Sequence, residues 1–199
     1  MNTTRESHSR GKGALKYELL LLLVSMIWGS AFVAQQIGME KGLGPMTFNG
    51  LRFAIGFLSL IPVILWRKEN LAPAEGEANL PCMVSVGAGL FLFAVCAVLS
   101  ALCGLLFEHC SLSQIKAASG AIAYAGFMSV GIAYTLQVVC QKRCPPAPAA
   151  IIMSLEAVFA ALAGYLVLKQ TLTGRAIIGC FLILLGVLMV QLVPMIKKT

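Results

Sequence analysis

The chain has 199 residues, of which 59% are hydrophobic and only 12% charged, and its mean hydropathy is +0.88. A soluble domain carries about twice that charged share, so the composition excludes an ordinary soluble globule. The net charge of +7 is spread over the ends of apolar runs instead of forming one block, which points to membrane topology and away from nucleic-acid binding.

Residues 1–16 are polar and are expected to form a disordered cytoplasmic tail. Six apolar runs follow: Tyr17–Gly38, Met46–Trp66, Cys82–Phe107, Ile115–Cys140, Pro145–Leu168 and Gly174–Ile196. Each holds about 20 residues or more, enough to cross a bilayer with some tilt. The first is too long for a cleavable signal peptide and no small-residue site follows it, so it is read as a retained helix. The expected fold is all-α, a polytopic bundle of six membrane helices.

Short turns at Glu40–Pro45, Lys142–Cys144 and Lys169–Thr173 force antiparallel neighbours. The longest connection, residues 67–81, is rich in Glu, Ala and Pro and is expected to be a cytoplasmic loop. A cytoplasmic N-terminus would place Arg5, Arg10, Lys12, Lys16, Arg67, Lys68, Lys142, Arg143, Lys197 and Lys198 inside. The opposite side would hold Lys41, Lys116, Lys169 and Arg175. Ten against four favours cytoplasmic N- and C-termini, which an even number of spans also requires.

Small residues hint at close helix contacts. Ala160 and Gly164 form a small-xxx-small pair, and Gly179 and Gly186 recur along the last run. Gly29-Ser30 is kink-prone, and Pro62 is a candidate kink near the inner end of the second run. Cys96, Cys103 and Cys110 recur every seven residues on one helical stripe and are read as small packing residues. The Cys and His spacing does not suggest a metal site, and no cofactor is expected.

There is no Walker-type phosphate loop, no His pair at ligand spacing and no nucleophile elbow, which argues against an ATP-driven pump or a membrane hydrolase. The informative residues are the polar ones inside the runs. Glu156 stands alone in an uncharged stretch, where a lipid-facing carboxylate would cost on the order of 2.5–3.5 kcal/mol. It should therefore face protein or a wet cavity, as a proton acceptor, a ligand for a cationic group, or a structural partner of Arg52. Arg52 lies roughly 9 Å into its run at the helical rise, and snorkelling to the interface is its competing reading. Trp28 and Gln35 share a helix face, as do Tyr134 and Gln137.

These residues carry a resemblance. WGSAFVAQQ at Trp28–Gln36 and NGLRFAIGFLSLIP at Asn49–Pro62 are similar to the first two helices of EamA-type transporters in the drug/metabolite transporter superfamily. The long block Gly131–Val190 resembles the last three helices of the second EamA repeat, and is the most specific part of the match. Such proteins have ten helices in two inverted five-helix repeats. Here Met83–Phe93 looks like the start of the third helix, and Ala94–Glu108 more like the seventh. The implied organisation is 17–66 as the first two helices of repeat one, and 82–196 as a fused third/seventh helix with the last three helices of repeat two. In one place the chain departs from the pattern: Lys169-Gln170 stands where the family often has Gly-Glu.

The resemblance implies a secondary, non-enzymatic, ATP-independent transporter in the cell membrane, exporting a small metabolite or amino acid. The site would lie near the midplane, with Glu156 as proton-coupling or substrate-binding group and Trp28, Arg52, Gln35, Tyr134 and Gln137 around the cavity. The competing class is a non-transporting, incomplete transporter that serves as a helical scaffold. The partners expected are the lipid bilayer and a small-molecule substrate, and a homodimer would rebuild the enclosure that the missing helices leave open.

Overall fold

The computed structural model describes residues 3–70, 80–141, 143–144, 146–171 and 173–196. Most of the expected loop 67–81 therefore lies outside the described residues, as do Lys142, Lys197 and Lys198. The described residues are helical, with no strand among them.

The order is α1 (Thr3–Glu40), α2 (Pro45–Asn70), α3 (Leu80–Phe107), α4 (Leu112–Ala117), α5 (Ser119–Ala123), a π-helix (Tyr124–Ala133), α6 (Tyr134–Gln141), α7 (Pro146–Ser154), α8 (Glu156–Leu168) and α9 (Gly174–Ile196). Among the described residues, five stretches are long and apolar enough to cross a membrane: Leu15–Glu40, Pro45–Val63, Gly87–Phe107, Ser119–Gln141 and Pro148–Leu168. In α9 the described apolar stretch is Gly174–Gly186. The polytopic helix bundle expected from composition is thus the observed fold class.

Three local expectations need correction. α1 runs from Thr3 to Glu40. The same helix passes through Gly29-Ser30 without a break, and the Ser30 hydroxyl donates to the Ile27 carbonyl at 2.9 Å. The fourth and fifth runs, by contrast, are not single helices. The fourth breaks at Ala118 and continues as a ten-residue π-helix, and the fifth breaks at Leu155.

Two compact units make up the chain. One is Met1–Ser30 with Val139–Thr199, and the other is Ala31–Val138. In the second, α2 packs against both α3 and the π-helix. Glycines permit the approach. A Cβ on Gly126 would lie 3.1 Å from the Arg52 carbonyl oxygen, and one on Gly50 would lie 3.1 Å from the Ala101 nitrogen. Leu43, Phe48, Ala118, Ile122 and Ala125 form a buried cluster there. In the first unit Leu21, Cys140, Cys144, Ala149 and Ile152 form the corresponding cluster, and Arg143 donates to the Tyr17 hydroxyl while lying over its ring.

The α1–α2 turn is set by local chemistry. Gly42 takes a left-handed conformation (φ 83°). Its N–H bonds the Met39 carbonyl at 2.8 Å and the Leu43 N–H bonds that of Gly38 at 3.3 Å, which is the Schellman pattern. Pro45 then opens α2, where its missing N–H costs nothing.

The α2 N-terminus is closed from a distance in sequence. Glu108, just past α3, accepts from the Met46 N–H at 2.8 Å, the Thr47 N–H at 2.8 Å and the Thr47 hydroxyl at 2.7 Å. Partial burial pushes this carboxyl up, but the three hydrogen bonds outweigh that and hold it below its ordinary value of 4.5. Cys110 joins the same corner: its thiol accepts from the Gly44 N–H at 3.5 Å and donates to the Thr47 hydroxyl at 3.4 Å. It does more than fill space.

Glu108→Gln is expected to cost about 1–2 kcal/mol, the scale of a lost helix cap, since the site is partly exposed. A depressed folded value means that this contribution is complete above the unfolded value and disappears as pH falls through the folded one. Thermal midpoints measured from pH 6 downward should therefore show an acid decline beginning near 4.5 that is weaker in the variant. An identical decline in both proteins would remove the cap from the explanation.

The α8–α9 turn explains the departure at Lys169. This residue is left-handed, with φ 52°, at the C-cap of α8. A glycine there has no Cβ penalty, which accounts physically for the glycine of the resembled pattern. Lys169→Gly is expected to raise stability by about 1 kcal/mol, measurable as a higher thermal midpoint in detergent. The paired small residues of this region divide. A Cβ on Gly29 of α1 would meet the backbone at Ala160, whereas among the described residues nothing lies within 4 Å of a Cβ at Gly179 or Gly186.

Candidate functional site

Of the six residues expected at the site, Trp28 and Glu156 belong to the first unit and Gln35, Arg52, Tyr134 and Gln137 to the second.

In the first unit the α7–α8 break is written into three residues. Ser154 Oγ donates to the Ile151 carbonyl at 2.7 Å, the acceptor that an unbroken helix would offer to the Leu155 N–H. The Leu155 N–H turns to the Ile152 carbonyl instead, at 3.2 Å. A serine bonding back to its own helix competes with the ladder in this way. The helix resumes at Glu156, so the carboxylate sits on the first residue of α8. From Pro148, where the span starts, Glu156 is about 12 Å deep at 1.5 Å per residue. That is close to the middle of a core roughly 30 Å thick.

α1 meets this break through Gly29. A Cβ there would lie 2.8 Å from the Glu156 carbonyl oxygen, 2.8 Å from the Ala160 nitrogen and 2.7 Å from the Phe159 Cβ. Only glycine lets the two backbones approach so closely. Trp28, half-buried, is its neighbour in the chain.

In the second unit Arg52 turns inward. Its Nη1 donates to Gln35 Oε1 at 3.4 Å, and its guanidinium carbon is 5.1 Å from the centroid of the Phe53 ring. A row of rings continues from there. Phe53 stacks on Phe93 with centroids 5.5 Å apart, and Phe93 meets Tyr134 edge-on at 4.9 Å. Gly89 of α3 leaves the room that the Tyr134 ring occupies, since a Cβ there would lie 2.5 Å from Tyr134 Cε1. Gln137 lies three residues beyond Tyr134 on α6. Two buried side-chain atoms of these residues lack a hydrogen-bond partner among the described residues: Arg52 Nε and Gln137 Oε1. Each such group costs about 1–3 kcal/mol when unmet.

The structure thus brings together Gln35, Arg52 and Tyr134, linked by two phenylalanines, with Gln137 three residues beyond Tyr134 on the same helix. Phe93 was not singled out in the sequence, because one more aromatic in an all-apolar helix carries no local signal. Glu108 was also missed: its partners are some 60 positions earlier in the chain.

A separate groove of about 450 Å³ runs between α2 and the π-helix, walled by Leu58, Pro62, Phe127, Ile132 and Leu136. Its hydroxyls, Ser59 and Thr135, both donate back to carbonyls of their own helices, those of Gly56 and Gly131. It therefore offers a polar ligand little. Six cysteines are free thiols, and no cluster of metal-ligating side chains occurs among the described residues.

Comparison with known proteins gives one positive result. The family model described as "EamA-like transporter family" matches residues 15–107 and again residues 83–192. No curated protein and no solved structure matches the chain. The two family matches together take in all five described stretches long and apolar enough to span a membrane, and both the Arg52 row and the Glu156 break. With most of its length matched, this multi-pass membrane chain belongs to the EamA-like transporter family.

Proposed function

We propose that the chain is a secondary transporter, independent of ATP, that moves a small metabolite outward across the cell membrane with both termini in the cytoplasm. The break at Leu155 carries this reading. It places an acid on the first residue of a half-helix at mid-membrane depth. Discontinuous helices at the midplane build the substrate and ion sites of many secondary transporters. Glu156 is the coupling or substrate-binding group, and Trp28 lines the same unit. Gln35, Arg52, Tyr134 and Gln137 bind substrate in the other unit.

The two family matches share residues 83–107, nearly all of α3. This overlap supports the reading of α3 as one helix standing for both the third and the seventh of a ten-helix relative. Pairing of two copies would then supply the enclosure, and molecular mass in detergent tests it. The functional test is flux into sealed vesicles under a proton gradient, comparing the parent chain with Glu156→Gln. Unchanged gradient-driven flux in the variant would remove Glu156 from the mechanism.

A further inference from the structure

We infer that the Arg52–Phe53–Phe93–Tyr134–Gln137 row is a binding site for a small organic monocarboxylate with a flat apolar body and a hydroxyl at the far end. The inference rests on the transporter reading and names its substrate class.

The charge at the site is the first argument. Within the membrane stretches of this unit (31–40, 45–63, 87–107 and 119–138), Arg52 is the only basic residue, and the one acid, Glu40, is the last residue of α1. A guanidinium kept inside a span is expensive unless something offsets it. Gln35 supplies one neutral acceptor at the long distance of 3.4 Å, and Phe53 supplies its ring face. Neither neutralises the charge. Nε stays buried and unbonded. Guanidinium groups bind a carboxylate through parallel N–H donors, and Nε paired with one Nη is one edge of that fork. An anion satisfies both the charge and the idle donor.

The middle of the row selects an apolar, flat body. Three rings follow one another at 5.5 and 4.9 Å, in stacked and edge-on geometry. The far end asks for a donor, because Gln137 Oε1 is buried without one. Hydroxyl to Gln137 and carboxylate to Arg52 would satisfy both idle atoms at once. Arg52's own partners are the neutral Gln35 and the Phe53 ring, so an α-ammonium beside it would meet no counter-charge. An acid without an amino group is therefore preferred to the corresponding amino acid.

The experiment uses the purified full chain in detergent and four probes: para-hydroxyphenylpropionate, its primary amide, phenylpropionate and tyrosine. Calorimetric titration should show the hydroxy acid binding at least roughly tenfold more tightly than the amide or tyrosine, about 1.4 kcal/mol. Arg52→Gln should abolish acid binding, Arg52→Lys should retain part of it, and Gln137→Leu should erase the preference for the hydroxylated acid. Equal binding of acid and amide, tighter binding of tyrosine, undiminished acid binding by Arg52→Gln, or no binding of any probe overturns the assignment. Should Arg52→Gln fail to fold, the acid–amide comparison on the parent chain decides alone. Vesicle flux separates this inference from the reading beneath it. Arg52-dependent binding without flux keeps the ligand class and rejects transport. Flux of other solutes with no acid binding keeps transport and rejects the ligand class.

Discussion

Gly29→Ala is expected to lower stability by about 3 kcal/mol, the upper part of the range for overpacking a tight contact. A single added methyl group would sit 2.8 Å from the Ala160 nitrogen and 2.8 Å from the Glu156 carbonyl oxygen. Both are backbone atoms, so no side-chain rotation can relieve the clash. α1 and α8 would have to move apart, and the packing of small residues that holds membrane helices together would be lost along the contact. Gly179→Ala and Gly186→Ala are the matched controls. Among the described residues nothing lies within 4 Å of a Cβ at either position, and alanine is the better helix former. Those two should leave the thermal midpoint unchanged or slightly raised. If Gly29→Ala melts with the controls, α1 does not approach α8 as closely as described.

The same three glycines show what the sequence can and cannot convey. All sit in apolar helices, and spacing alone suggested contacts for Gly179 and Gly186. In a bilayer the outer surface of a bundle is as apolar as its inner contacts, so the amphipathic signal that orients a soluble helix is missing. The spans themselves were legible, because length and hydropathy are enough to define them. Their interruptions were not. The break at Leu155 depends on one serine hydroxyl taking a carbonyl, and Ser30 makes the same kind of bond in α1 with the helix intact. The π-helix at Tyr124–Ala133 is likewise invisible to a periodicity of 3.6.

The candidate site residues stood out for the opposite reason: polar residues are rare in spans, so each one is conspicuous. Arg52, Gln35, Tyr134 and Gln137 were proposed that way, and the structure sets them in one unit. The link to Tyr134 was not found, since it passes through Phe93, which differs in no local way from the other apolar residues around it.

Glu156→Gln is expected to abolish proton-driven flux while leaving stability equal to or above that of the parent. A charged group near the bilayer centre costs roughly 2.5–3.5 kcal/mol on insertion scales, so its removal relieves the fold. Residues kept at such a cost are retained for function, and their loss commonly trades activity for stability. Glutamine preserves shape and hydrogen bonding but binds no proton at physiological pH, which isolates the titratable function from the structural one. Glu156→Asp keeps the carboxylate, one methylene shorter, and should retain measurable flux. Ser154→Ala approaches the same question through the backbone. Without the hydroxyl at the Ile151 carbonyl, the Leu155 N–H can rejoin the ladder, straighten α7 into α8 and slow transport with the acid still present. Thermal midpoint and gradient-driven flux, measured on the same preparations, separate the two roles. A purely structural Glu156 would make the glutamine variant less stable, with flux falling only in proportion to folded protein. A coupling Glu156 gives a stable chain whose flux no longer responds to the proton gradient.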